Sequence, residues 1–391
     1  MINLDQNHMA EALQLTGAGR LAEATELIQR TLGSSSKSGQ SPASGQLNPL
    51  SMGIKPLLSP LANSQTLQLP MQNPNVLPRQ APPPDSLGAG ALIERTYANG
   101  SGVRRYLVYA PPGGPSQGMP VIVMLHGGTQ DVRDYATGTG MNKLADLHHF
   151  LVVYPDQDAR ANPMRYWNWF RPQDQRRGNG EPSLIAGITE QVIDDYAADR
   201  DRIFIVGFSA GAAMATVMAA THPELYAAAG VHSGLPYGSA HDVQSAFALM
   251  RGENPSSRQD AALRIPLIVF HGDHDQIVNV INASHIRQQR LGVGRATTAD
   301  GATAIQGQVP GGHAYTRTTY SDENEVLLEQ WIVHGAGHAW FGGTAGSSYT
   351  DPKGPAASAE IVRFFRLPEI EPAPDRTGGS QRDAGKQRDV G

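Results

Sequence analysis

Residues 202–220 read RIFIVGFSAGAAMATVMAA, and this stretch decides the fold. A short apolar run rich in β-branched residues reads as a buried strand, and the small-residue run after it reads as a helix. Between them lies Gly207-Phe208-Ser209-Ala210-Gly211, a G-x-S-x-G motif in strand–turn–helix context. The flanking glycines permit a turn tight enough to force Ser209 to the top of a sheet with its hydroxyl exposed. The same turn puts the Ala210 N–H at a helix N-terminus, aimed where an oxyanion would form. The rival reading is a glycine-rich turn with a capping serine.

Outward from this turn the chain alternates strands and helices. Ile93–Ala98 and Val103–Ala110 flank Asn99-Gly100, a hairpin signal. Val121–Leu125, Leu151–Tyr154, Ile203–Phe208, Ala228–His232, Leu267–Phe270 and Val326–Val333 are further strand candidates, with helical patterns at 181–199, 210–221 and 279–291. Continuous apolar strands alternating with helices predict one α/β domain over residues 88–367, with a mostly parallel sheet covered on both faces.

A serine hydroxyl needs an adjacent base that is itself oriented by an acid, and on such a sheet the order is Ser, acid, His. Past the strand PLIVF comes His271-Gly272-Asp273-His274-Asp275; Asp275 is the expected acid and Asp273 the reserve. A metal site in this cluster lacks the second ligand cluster it would need. Past LLEQWIV comes HGAGHAW, where His338 in a glycine-rich loop is the expected base and His334, nearer the strand, a packed or hydrogen-bonded histidine. After VIVM, Leu125-His126-Gly127-Gly128-Thr129 offers the Gly128 N–H as second oxyanion donor beside Ala210, with His126 structural beneath the loop. Trp167 and Trp169, in a Pro/Arg/Asn-rich loop, either line a binding cleft or form a satellite core beneath it. Tyr237, after the strand ending at His232, is a candidate site wall, and Trp340, two residues past His338, a further substrate-binding candidate.

The remainder of the chain bounds the function. Residues 1–32 carry helical spacing on both sides of a Gly-Ala-Gly break, residues 33–87 shift to a Ser/Gly/Gln/Pro/Asn-rich linker, and residues 368–391 form a similar tail. The linker and tail have too little apolar content to offset their ordering entropy, so both are expected to be disordered. With 31 Lys+Arg against 36 Asp+Glu, the net charge of −5 gives no reason to expect nucleic acid or an anionic membrane as partner. The absence of cysteine excludes disulfides, thiolate metal sites and a cysteine nucleophile, and no cofactor is called for. No stretch approaches the roughly 18–20 apolar residues of a membrane span. The N-terminus lacks a basic segment followed by an apolar run, so the default location is cytoplasmic.

The segments MLHGGTQD, YWNWFRP, GEPSLIAGITEQV, VGFSAGAAMA, HSGLPYG, FHGDHDQIVN, HGAGHAWFGG and YTDPKGPAASAEIVRFF span nearly all of residues 100–366. Together they resemble the poly(3-hydroxybutyrate) depolymerase-type esterases of the α/β-hydrolase superfamily, relatives of feruloyl and acetylxylan esterases. The resemblance implies hydrolysis of carboxylic esters, with Ser209 as nucleophile, His338 as base, Asp275 as orienting acid and Gly128 and Ala210 as oxyanion donors. The substrate it implies is a polyhydroxyalkanoate or other polyester, its oligomers, or a short-chain ester. A feruloyl or acetyl esterase on soluble esters uses the same three residues. A serine peptidase of this fold and a non-catalytic granule-binding protein are the rival readings, whereas a dehalogenase would carry Asp in place of Ser209. Two departures from the family are visible. Gly128 stands where its loop usually has cysteine, and neither a signal peptide nor a separate surface-binding domain is evident. Both weigh against secretion and attack on crystalline polymer, although family members are often secreted, and neither touches the ester chemistry.

Overall fold

The computed structural model describes residues 87–253, 263–292, 302–323 and 325–368. The helical pair expected in 1–32, nearly all of the 33–87 linker and the tail beyond Pro368 lie outside these residues.

Ten strands form one sheet. In chain order they are β1 (Ala91–Asn99), β2 (Gly102–Ala110), β3 (Val121–Leu125), β4 (Leu151–Pro155), β5 (Ile203–Phe208), β6 (Ala228–His232), β7 (Leu267–Gly272), β8 (Ala302–Gln308), β9 (Ala314–Asp322) and β10 (Glu325–Val333). Their spatial order is β1-β2-β4-β3-β5-β6-β7-β10-β9-β8. The run from β4 to β10 is parallel throughout, while β1–β2 at one edge and β9–β8 at the other add antiparallel strands. The Asn99-Gly100 signal is realised as a tight hairpin, with Asn99 paired to Gly102.

Strands β3 to β7 are buried at every position and mostly apolar, because both faces are covered. Successive side chains point to opposite faces. Val121, Val123 and Leu125 of β3, with Ile203 and Ile205 of β5, join one core. Ile122 and Met124, with Phe204, Val206 and Phe208, join the other. The first face is covered by helices α3 (Gly180–Tyr196), α4 (Ala210–Thr221) and α6 (Ile281–Leu291), the second by α1 (Val132–Thr139), α2 (Met141–His148) and α7 (Ala357–Phe364); α5 (Val243–Met250) adds Ala246 and Leu249 to the first. Helix α3 buries Leu184, Ile185, Ile188, Val192 and Ile193, a stripe at helical spacing. Helix α4 is buried from Ala210 to Ala219, and its alanines let it lie close to the sheet.

Strands β8 and β9 were not expected from the sequence. They read ATAIQGQ and AYTRTTYSD, largely half-exposed to exposed and rich in Thr and Tyr, so β-propensity without an apolar run is the signal they carry. The short helices α1, α2, α5 and α7, eight residues each, likewise fell below the length at which periodicity is decisive. A two-stranded parallel bridge, β11 (Trp340–Phe341) with β12 (Thr350–Asp351), closes the loop that follows β10.

The parallel strands end on one edge, and α4 approaches that edge closely. A Cβ on Gly211 would lie 2.1 Å from the Leu125 carbonyl oxygen and 2.5 Å from that of His126. Gly211→Ala therefore forces helix and loop apart and is expected to cost about 1–3 kcal/mol, read as a drop of several degrees in Tm. Gly100→Ala, where an added Cβ meets nothing, is the matched control and leaves Tm near the wild-type value.

Candidate active site

Ser209 stands between β5 and α4 with φ 54° and ψ −119°, a conformation that costs a non-glycine residue on the order of 1–3 kcal/mol. The surroundings impose it. The Ser209 N–H donates to the His232 carbonyl (2.9 Å), and the Ser209 carbonyl accepts from the Ala213 N–H (3.0 Å) as the first turn of α4 closes. Neither flanking glycine tolerates a side chain: a Cβ on Gly207 would meet the Gly211 carbonyl at 2.2 Å, and Gly211 presses on the β3 exit as described. Ser209 retains 8% exposure at the sheet edge.

Asp275 follows β7. Its Oδ1 accepts the N–H groups of Ile277 (2.9 Å) and Val278 (2.8 Å), and its Oδ2 accepts His338 Nδ1–H at 2.7 Å. His271 Nε2–H donates to the Val278 carbonyl (2.8 Å) and lies 3.5 Å from the same Oδ2. Burial alone would raise the Asp275 carboxyl, but the charges of His338 and His271 and their hydrogen bonds hold it far below the usual carboxylate range. Asp275 is thus a buried anion hydrogen-bonded to Nδ1 of His338. The His338 ring lies 5.0 Å, centroid to centroid, from that of Phe208, the residue before Ser209.

Asp273, the reserve acid, is engaged elsewhere. Its Oδ2 accepts from His334 Nδ1 (2.8 Å) and its Oδ1 from the Gly335 N–H (2.7 Å), while His334 Nε2 accepts from the Thr316 hydroxyl (2.9 Å). This second Asp–His pair is exposed and ties β9 and β10 to the loop after β7. The structure therefore brings Asp275 to His338 and Asp273 to His334.

The loop after β3 holds Gly128. The Gly127 N–H is taken by the Gln130 side chain (2.8 Å), while the Gly128 and Ala210 N–H groups find no acceptor among the described residues. The approach of Gly211 to Leu125 and His126 sets the two donors' segments side by side. His126 is fully buried beneath the loop. Its Nε2 accepts from the Gln157 N–H (3.0 Å), so Nδ1 carries the proton toward the Gly127 carbonyl (2.7 Å), and burial lowers its pKa.

Of the two readings open for Trp167 and Trp169 the structure favours the satellite core, and it buries Trp340 as well. Trp167 is fully buried and donates Nε1–H to the His126 carbonyl (3.1 Å); Trp169 is 5% exposed and packs edge-on against Phe170. Trp340 is 1% exposed, donates to Ser358 Oγ (3.1 Å) and stacks on His232. All three are buried interior supports. Tyr237 stays partly exposed, with its hydroxyl donated to the Gln175 carbonyl (2.9 Å), which ties two loops together. The aromatic residues that do flank the site are two that the sequence reading passed over. Tyr166 packs its ring on Gly128. Tyr349, with φ 53°, shares a hydrogen bond between its hydroxyl and Thr129 Oγ1 (2.8 Å) and lies 6.5 Å from the His338 ring. Their only signal was position inside the motifs YWNWFRP and YTDPKG, since an isolated tyrosine carries no period.

Among the described residues no group of three His, Cys, Asp or Glu side chains could hold a metal ion, and no helix is long and apolar enough to cross a membrane.

Comparison with known proteins agrees with this architecture. The family model described as esterase PHB depolymerase matches residues 104–309, just over half of the chain. Poly(3-hydroxyalkanoate) depolymerase C of Paucimonas lemoignei is 31% identical over 241 residues, 58% of this chain and 56% of that protein. Acetylxylan esterase A of Aspergillus oryzae is 27% identical over 270 residues, 63% of this chain and 86% of that protein. The chain thus spans little more than half the length of the depolymerase it matches. Among solved structures, acetyl xylan esterase from Aspergillus awamori aligns with a TM-score of 0.58 and 21% identity, covering 71% of this chain and all of that one, which supports the α/β-hydrolase fold. With the family match spanning β2 to β8 and enclosing the strand–turn–helix that carries Ser209, the chain belongs to the PHB depolymerase family of esterases.

Proposed function

We propose that this chain is a serine carboxylic ester hydrolase in which Ser209 is the nucleophile, His338 the general base and Asp275 the orienting acid. The observation that carries this reading is the buried Asp275–His338 pair, 2.7 Å apart and anchored by two backbone N–H groups, on the sheet edge that also presents Ser209. His338 Nε2 takes the Ser209 proton as Oγ attacks the ester carbonyl. The Gly128 and Ala210 N–H groups hold the developing oxyanion. His338 then gives its proton to the leaving alkoxide, and water repeats the sequence on the acyl-enzyme to release the acid and restore Ser209. Asp275, an anion throughout, stabilises the imidazolium at each passage. No step calls for a metal or cofactor.

The substrate we favour is a polyhydroxyalkanoate, a related polyester or its oligomers, together with short-chain esters, in line with the family and with the depolymerase relative. A second reading, acetyl-type esterase on soluble esters, is favoured by one observation: the acetylxylan esterase match extends over 86% of that relative against 56% of the depolymerase.

Release of acid from p-nitrophenyl butyrate and from amorphous poly(3-hydroxybutyrate) tests both. Wild type is expected to act on both substrates, and Ser209→Ala to lower kcat by about 10³–10⁶-fold while abolishing fluorophosphonate labelling. Turnover of the small ester alone moves the reading to the soluble-ester hydrolase. An unlabelled, inactive wild type returns the chain to a binding role, and cleavage of peptide substrates to a peptidase.

The acid is tested separately. Asp275→Asn is expected to lower kcat about 10³–10⁴-fold by misorienting the imidazole. Asp273→Asn, which breaks an exposed pair, changes it by less than about threefold. The reverse pattern would transfer the role to Asp273.

A further inference from the structure

The loop that offers the Gly128 N–H is held from one side by a single segment. The Met164 carbonyl accepts the Thr129 N–H at 2.7 Å, and Trp167 Nε1–H donates to the His126 carbonyl at 3.1 Å. Between these tethers sits Tyr166, partly exposed at the cleft. A Cβ built on Gly128 would lie 2.4 Å from Tyr166 Cε1, 2.5 Å from Cζ and 2.6 Å from Cδ1. The ring therefore fills the space that any side chain at position 128 would occupy.

Glycine has more backbone freedom than any other residue. That freedom is a liability for an oxyanion donor, whose value lies in being aimed before the reaction begins. At Gly128 the ring restores the constraint from outside: packed against the Cα, it opposes the peptide rotations that would turn the N–H away. The backbone on either side of the ring is anchored, through Gln157 and Asn168, by the buried carboxylate of Glu181, at the start of α3. Glu181 Oε2 accepts the Asn168 N–H (2.7 Å), and its Oε1 accepts Asn168 Nδ2–H (2.7 Å) and Gln157 Nε2–H (2.5 Å). Gln157 Nε2 also donates to the Tyr166 carbonyl (2.8 Å). Burial, with a smaller contribution from Tyr349, raises the Tyr166 phenol above its usual range, so the ring stays neutral.

We infer that Tyr166 is a positioning residue of the oxyanion site, acting through its ring to hold the Gly128 N–H toward the reacting carbonyl. The inference rests on the ester-hydrolase reading above. It assigns Tyr166 no proton transfer. The hydroxyl is dispensable and the ring is not.

The test is a double-mutant cycle on a short-chain aryl ester, with Ser209→Ala run beside wild type and Tm recorded for every variant. Tyr166→Phe keeps the ring and is expected to retain most of kcat. Tyr166→Ala is expected to lower kcat about 10–100-fold with KM within about threefold, and to weaken binding of an alkylboronic acid, whose tetrahedral adduct on Ser209 mimics the oxyanion, by a similar factor. Gly128→Ala is expected to cost about 10²-fold in wild type. In the Tyr166→Ala background, where the added methyl meets no ring, it should cost less than about threefold. If Tyr166→Ala does not fold, Tyr166→Leu serves in its place.

A rise in KM at unchanged kcat would make Tyr166 a substrate wall and overturn the inference. Equal losses in Tyr166→Phe and Tyr166→Ala would overturn it in favour of the hydroxyl, and equal costs of Gly128→Ala in both backgrounds would show the two positions to be independent. Wild type without Ser209-dependent turnover would remove the hydrolase reading, and this inference with it, before any Tyr166 variant is compared.

Discussion

The structure depends on one close approach. Helix α4 begins where Gly211 meets the carbonyls of Leu125 and His126, and no residue but glycine fits that gap. The contact locks the N-terminus of α4 to the exit of β3, and three consequences follow. Ser209 is forced into a positive-φ conformation, the first turn of α4 directs its unpaired N–H groups to the sheet edge, and the 126–130 loop is laid beside them. The strain at Ser209 is offset by the buried apolar helix behind it, since α4 can retreat only by giving up its packing against β5 and β3. A polar, chemically costly feature is held here by an apolar one.

Two buried carboxylates then fix the loops on either side, and they are handled in opposite ways. Asp275 receives two backbone N–H groups and faces two histidines, so its charge is retained despite burial. Glu181 is buried among amides, with Arg104 at 3.6 Å; burial and the nearby Asp174 push it above its ordinary value. The difference suits what each holds. In the proposed mechanism Asp275 faces an imidazole that passes through a cationic state, where a retained negative charge is useful. Glu181 holds the 157–168 loop, where a hydrogen-bond acceptor is enough.

The parts of this arrangement that could be read in the sequence are those built by local chemistry. Glycines at 207 and 211 announce a turn, apolar runs announce buried parallel strands, and strand ends announce the segments from which an Asp and a His reach the shared edge. The antiparallel β8–β9 pair was hidden because its strands are polar and half-exposed, so no apolar run marks them and β-propensity alone separates them from loop. Asp273 and Asp275 are equally placed in sequence. Only the fold brings His334 to one and His338 to the other. The two readings of Trp167 and Trp169 stayed open in sequence for a related reason: a loop position says where a backbone runs, not which way a ring turns.

That ring direction matters for how the site is kept in place. Trp331, Phe270, His232 and Trp340 form a continuous stack beneath the strand ends, with centroid separations of 5.6, 5.5 and 4.8 Å, and Phe208 links it to His338 at 5.0 Å. His232 belongs to the stack because burial, with the fields of His271 and His338, keeps it neutral, and its Nε2 accepts the Phe341 N–H at 3.1 Å. A floor of this kind transmits position. A side chain lost from it would open a cavity beneath Phe208 and His338 and let the His338 ring shift relative to Ser209. On the proposed mechanism, the aromatic residues under this cleft set the alignment of His338 with Ser209. The two tyrosines nearer the surface, 166 and 349, pack instead on the loop that carries Gly128 and Thr129.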